Sequence, residues 1–294
     1  MINWGRLITA MVTPFDENLN VDYEAAVKLA KYLVEEGNTA LLVTGTTGEG
    51  PTITSEERVR LYKEIKKSVN VPIIAGVGTN STEATIKNAK DAVEAGVDGL
   101  LVVTPYYNKP DQKSLYAHFK KVAEAVDVPI MMYNVPGRTG CNMLPETVEK
   151  LAHIDNIVAL KEASGDINQM SEMVRKTPDD FLIYSGDDSM TLPGMAVGVY
   201  GVVSVASHVV SRQMREMIDS FVLGDTKKAM EIHHRLFDIF KKLFIVTNPI
   251  PVKAALNMLG MKVGGLRLPL TEADDKVKEI IRAELEKLGL KTVN

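Results

Sequence analysis

Eight short apolar runs, rich in β-forming residues and spaced about 20–35 residues apart, constrain this chain more than any other feature. They cover residues 7–12, 40–44, 73–77, 99–104, 130–133, 157–161, 181–184 and 201–205. The segments between them carry helical signals. Thr54-Ser55-Glu56-Glu57 and Asn80-Ser81-Thr82-Glu83 read as N-caps with acidic first turns, and Gly37 and Gly96 sit where C′ glycines end helices. Strands that alternate with helices pair in parallel, because each crossover helix returns the chain to the same end of the sheet. Eight is the number that closes such a sheet, and 294 residues suit one (β/α)8 barrel. An open doubly wound sheet is the alternative. It calls for a glycine fingerprint after the first strand, where this chain has Met11-Val12-Thr13-Pro14-Phe15. Beyond residue 224 the pattern is purely helical, over 225–246, 249–259 and 271–288. The expected division is therefore a catalytic barrel over 1–224 and a helical appendage over 225–294, used for packing or oligomerisation rather than catalysis.

Composition narrows the function by exclusion. A net charge of −4 gives no electrostatic reason for nucleic acid or an anionic membrane as partner. The single cysteine, Cys141, rules out an intramolecular disulfide and a zinc-type cysteine pair. The amino terminus, Met1-Ile2-Asn3-Trp4-Gly5-Arg6, lacks a basic region followed by a long apolar stretch, and no window is apolar for long enough to span a membrane. A cytoplasmic enzyme is the expectation.

The chemistry-bearing residues gather at the carboxyl ends of the runs, where parallel sheets place their sites. Lys161 ends the sixth run, and alternation puts it on one face with Ala159 and Ile157. Tyr133 ends the fifth. A lysine on an interior face either reacts or pairs. Pairing with Glu162 is the structural alternative; reaction means a Schiff base with a carbonyl substrate, which needs a neutral amine and a nearby proton carrier. Tyr133 on the adjacent strand is the candidate carrier. Gly45-Thr46-Thr47-Gly48-Glu49 follows the second run and can present N–H groups to an anion, or form a simple turn. It has no P-loop lysine, so a carboxylate fits it better than a triphosphate. Tyr106 and Tyr107 close the fourth run, Tyr106 read as packing and Tyr107 open between packing and function. Arg138, set among Pro136, Gly137 and Gly140, is either a solvated loop charge or a fork for a substrate carboxylate. Of the histidines, only His208 falls at a strand's carboxyl end; His118, His153, His233 and His234 do not converge with it, so zinc-dependent aldol chemistry is not expected.

Taken together and in order, Gly45-Thr46-Thr47-Gly48-Glu49, Thr104-Pro105-Tyr106-Tyr107-Asn108, Tyr133 through Gly140, Ala159 through Ala163 and Asn248-Pro249-Ile250-Pro251-Val252-Lys253 resemble the dihydrodipicolinate synthase/N-acetylneuraminate lyase family over nearly the whole chain. The resemblance implies condensation of pyruvate with L-aspartate 4-semialdehyde, in diaminopimelate and L-lysine biosynthesis, through an imine on Lys161 and with no cofactor. It implies a proton relay of Tyr133, Thr46 and Tyr107, with Tyr107 given by a neighbouring subunit of a homo-oligomer, by precedent a tetramer of two dimers. It implies that Thr47 holds the pyruvate carboxylate, that Arg138 receives the semialdehyde's carboxylate, and that Gly186 and Val203 line the pyruvate pocket, although on sequence alone both read as packing. A lyase acting on a longer 2-oxo acid, such as sialic acid or 2-keto-3-deoxy-gluconate, shares the lysine and tyrosine but generally lacks the arginine. A carboxylate-binding barrel without activity would be expected to have lost Lys161, Tyr133 or Arg138. Gly50, Pro51, Ser55, Arg58 and Ala84 depart from the pattern of lysine-inhibited relatives, in which histidines and an acidic side chain help to bind L-lysine; only Asn80 and Tyr106 remain. Weak or absent feedback is the expectation.

Overall fold

The computed structural model describes residues 4–293; Met1, Ile2 and Asn3, which opened the secretory-signal reading, lie outside them. Eight parallel strands close a barrel in sequence order: β1 (Leu7–Ala10), β2 (Ala40–Val43), β3 (Ile73–Gly76), β4 (Gly99–Val103), β5 (Ile130–Asn134), β6 (Ile157–Glu162), β7 (Leu182–Ser185) and β8 (Gly201–Ser204). The open sheet is thereby excluded. Alternation along each strand builds two layers. Ile8, Ala10, Leu42, Ile74, Leu101, Met131, Tyr133, Ala159, Tyr184 and Val203 fill the interior over Trp4, while Leu41, Ile73, Leu100, Met132, Leu160 and Val202 face the surrounding helices.

One strand departs from simple alternation. Ile157 belongs to the outer layer, not to the face of Ala159 and Lys161, because the β5–β6 register slips: Ile130 pairs with Ile157, but Met131 pairs with Ala159. Beyond the slip, Tyr133 stands directly opposite Lys161. The irregularity sits below the site, and regular pairing resumes where the amine and the phenol are placed.

Local chemistry sets the helix ends. Thr54 and Glu57 form a reciprocal capping box at the start of the helix Ser55–Ser68, and the Ser81 hydroxyl caps the helix Thr82–Glu94. In the C-terminal region the helices are Thr226–Lys242, Ile250–Met258 and Asp275–Lys287. The last begins four residues later than its apolar pattern predicts, because the Asp274 carboxylate accepts the Val277 N–H and fixes the cap there. Leu236, Ile239, Val252, Leu256, Ile281 and Leu285 are buried in the same hydrophobic cluster as Leu33 and Met214 of the barrel's own helices. No helix among the described residues is long and apolar enough to cross a membrane.

Candidate active site

Lys161 projects into the barrel interior near its carboxyl end and is only 6% exposed. Its Nζ lies 4.4 Å from the centre of the Tyr133 ring. Burial brings the amine down to about 7, with Asp188 opposing that shift and the Arg138 charge adding to it. Lys161 takes part in none of the ion pairs among the described residues. Glu162, the sequence candidate for pairing, faces the other way: its carboxylate accepts from Asn134 Nδ2 at 2.9 Å and from the Ser164 N–H at 2.6 Å. The pairing alternative thus fails for a geometric reason, since consecutive strand residues point to opposite faces.

Tyr133 is buried, and burial holds its phenol up at about 12 in spite of the nearby Arg138 charge, so it carries its proton at neutral pH. Gly186 has a steric reason to be glycine: a Cβ there would stand 2.7 Å from Ala163 Cβ and 3.0 Å from Lys161 Cε. The lysine stem runs through the space a side chain would fill. Val203 packs in the interior layer with Tyr133 and Tyr184.

A cavity of about 240 Å³ opens over the ends of β2 to β5. Thr46, Tyr133 and Arg138 line it together, with Thr44, Gly45, Tyr106 and Thr139. Lys161, Thr47, Gly186 and Val203 are not among the lining residues. Tyr107 is away from its own chain's cavity, 87% exposed, with its backbone in the left-handed region at φ 75°. Thr44 and Glu49, which bracket the glycine–threonine loop, also have positive φ, at 57° and 53°. Non-glycine residues held in this region gather where surrounding contacts over-determine the backbone.

At Thr44 those contacts come from the Tyr62 hydroxyl and the Gly76 carbonyl, and at Glu49 from the C-terminal region. Lys253 Nζ lies 2.9 Å from Glu49 Oε1, both groups fully buried, and the Arg267 N–H donates to Glu49 Oε2 at 3.0 Å. Asn248 Nδ2 donates to Thr47 Oγ1 at 2.9 Å, and the Arg138 guanidinium donates to the Asn248 main-chain carbonyl over a long 3.5 Å. Sequence reasoning assigned none of these three residues a role. A signal for two of them is the charged Lys253 within the proline-flanked apolar stretch from Asn248. His208 is a neutral tether: its Nε2 accepts the Val12 N–H at 3.1 Å, its Nδ1 donates to the Val205 carbonyl at 2.8 Å, and burial brings it down to about 4. Among the described residues no three His, Cys, Asp or Glu side chains gather as a metal site would require. Of the positions weighed for lysine feedback, Gly50, Pro51 and Arg58 line the cavity with Tyr106, whereas Ser55 and Ala84 do not.

A closed (β/α)8 barrel with a buried, unpaired lysine at its catalytic face defines an enzyme of the barrel-lyase class. The chain belongs to the dihydrodipicolinate synthetase family, whose model matches residues 3–288. It is 51% identical over 292 residues to the 4-hydroxy-tetrahydrodipicolinate synthase of Desulforamulus reducens, covering 98% of this chain and 99% of that one. Crystal structures of dihydrodipicolinate synthases are superposable on it. That of Bacillus anthracis has 49% identity and a TM-score of 0.95, covering 97% of this chain and 99% of that one. That of Cyanidioschyzon merolae, solved with lysine bound, has 48% identity and a TM-score of 0.96, covering 98% and 99%.

Proposed function

We propose that the protein condenses pyruvate with L-aspartate 4-semialdehyde to give 4-hydroxy-tetrahydrodipicolinate, in diaminopimelate and L-lysine biosynthesis, as a cytoplasmic enzyme. The observation that carries this reading is the buried Lys161 amine, paired with no acid and set against the Tyr133 ring. Its nitrogen attacks the pyruvate ketone, the carbinolamine loses water, and the resulting iminium draws off a methyl proton to leave an enamine. The enamine carbon attacks the semialdehyde's carbonyl carbon. The new intermediate's own amine then displaces Lys161 and closes the ring, so that one water leaves per turnover. Tyr133, protonated at neutral pH, supplies and recovers protons together with Thr46. Thr47 holds the pyruvate carboxylate, Gly186 and Val203 bound its pocket, and Arg138 receives the second carboxylate at the cavity wall.

Tyr107 completes the relay from a second subunit. An aromatic 87% exposed on a left-handed backbone is costly in a monomer and reasonable at an interface. The working form is therefore a homo-oligomer, a dimer at least and a tetramer by two dimers pairing; sedimentation as a monomer under assay conditions would remove Tyr107 from the scheme.

The mechanism is tested by borohydride reduction with pyruvate, followed by peptide mass mapping. A reduced pyruvyl adduct on Lys161 is expected; an adduct on another lysine, or none, overturns it. Turnover of sialic acid or 2-keto-3-deoxy-gluconate in preference to the two proposed substrates would move the protein to the lyase reading. Inhibition by L-lysine is expected to be weak or absent. Arg58 brings a cation to the cavity wall beside Gly50 and Pro51, where an amine ligand would be repelled rather than held. Half-inhibition at or below millimolar L-lysine contradicts this.

A further inference from the structure

The stretch from Asn248 to Lys253 is the one motif that the proposed chemistry leaves without a task. It forms two rungs to the loop that carries Thr46 and Thr47. Lys253 pairs with Glu49 at 2.9 Å, and Asn248 Nδ2 donates to Thr47 Oγ1 at 2.9 Å. Asn248 is only 4% exposed, and its Oδ1 is buried without a hydrogen-bond partner. A buried amide with one satisfied end has two possible orientations. Leaving a carbonyl oxygen unpaired is the milder fault, because an NH2 in its place would strand two donors. The arrangement in which nitrogen faces Thr47 is therefore the stable one.

That orientation has a chemical consequence. A hydroxyl has one proton and two lone pairs. With an N–H donor on its oxygen, Thr47 does not need its proton for Asn248, and that proton is free for an anionic acceptor. Whatever the orientation of the side chain, the Asn248 main-chain carbonyl receives the Arg138 guanidinium. One residue thus touches both groups assigned to substrate carboxylates.

We propose that Asn248 is a positioning residue that polarises Thr47, occupying its acceptor side so that the hydroxyl donates to the pyruvate carboxylate. This rests on the reading of Thr47 as a carboxylate-binding residue. Lys253 and Glu49 keep the two segments at the required separation.

The test follows imine formation alone, by borohydride trapping of the full-length protein at varied pyruvate concentration. Asn248→Asp can only accept, so it captures the Thr47 proton and places a second negative charge beside the substrate. It is expected to raise the half-saturating pyruvate concentration by about tenfold or more, the scale of a lost hydrogen bond to a charged group. The effect falls on half-saturation rather than on the trapping rate at saturation. Asn248→Ala frees the hydroxyl without redirecting it and raises half-saturation less. Thr47→Val raises it by about tenfold as well, and the double variant that adds Asn248→Ala to Thr47→Val goes no further than Thr47→Val alone. A rise with Asn248→Ala that equals or exceeds that with Asn248→Asp, or additive effects in the double variant, overturns the role of Asn248 while leaving Thr47 in place. An unmoved half-saturation in Thr47→Val removes the carboxylate reading of Thr47, and the role of Asn248 with it. Should Asn248→Asp fail to fold, Asn248→Ala decides: a rise supports the proposal, and no change overturns it.

Discussion

The chain buries two lysines in nearly the same way and uses them differently. Lys161 is 6% exposed with its amine 4.4 Å from the Tyr133 ring centre, and Lys253 is 1% exposed with its amine 4.1 Å from that of Phe15. Burial depresses both amines. The difference lies in what else each one touches. Lys253 has the Glu49 carboxylate at 2.9 Å and donates to the Gly265 carbonyl at 2.5 Å, so its charge is compensated. Lys161 has no acid within ion-pair distance, and the neutral amine is the form its surroundings favour. A buried lysine with a partner keeps its charge and tethers, and one without is left with the neutral amine that the proposed imine chemistry requires.

The largest effect that could break this comparison is on turnover. Lys161→Met is expected to lower activity by at least about a thousandfold and to abolish the borohydride adduct, since the other buried lysine among the described residues, Lys253, is paired with Glu49. Substantial residual imine formation on Lys253 would show the two sites to be interchangeable. Next in size is stability. Lys253→Met strands the Glu49 carboxylate in the interior and should cost about 3–5 kcal/mol, measured by urea unfolding, while Glu49→Gln combined with Lys253→Met recovers part of it. A loss of less than about 1 kcal/mol would mean that the pair is not a tether.

The smallest effect concerns pH and sharpens the comparison further. The Lys161 amine titrates at about 7 in the folded chain and near 10.4 when unfolded. Between those values the unfolded chain holds a proton that the folded chain does not, so this group makes stability rise with pH across that window. At and below about pH 7 the native state must charge a buried amine, and the full penalty applies. Lys161→Met should therefore be more stable than the parent near pH 7, by on the order of a few kcal/mol, with the gap closing toward pH 10. An unchanged gap across that range, by thermal unfolding at fixed ionic strength, would show that Lys161 is not held neutral. In the same direction, imine formation should quicken as pH rises through about 7 and then level off.

The barrel was legible because its signals are local and repeated. Eight apolar runs, capped helices and C′ glycines each report on a few neighbouring residues. The juxtaposition of Lys161 and Tyr133 was legible for the same reason: an ionisable residue at the end of an apolar strand violates the pattern around it, and both do. Ile157 shows where local pattern stops being informative. Strict alternation places it inside, and a register slip against β5, which depends on the neighbouring strand, places it outside. Asn248 and Lys253 were equally hidden. About 200 residues separate them from Thr47 and Glu49, so only the folded chain brings those pairs together.

The sequence alone determined the strand count, the parallel order, the faces of Lys161 and Tyr133, and the lack of charge or cysteine pattern for other chemistries, since these follow from periodicity and residue type. Only the tertiary structure decided which of the two buried lysines stands without an acidic partner, why position 186 has no side chain, and that the C-terminal segment grips the glycine–threonine loop. Those are contacts between segments far apart in the chain, and no local pattern encodes a distance across a folded core.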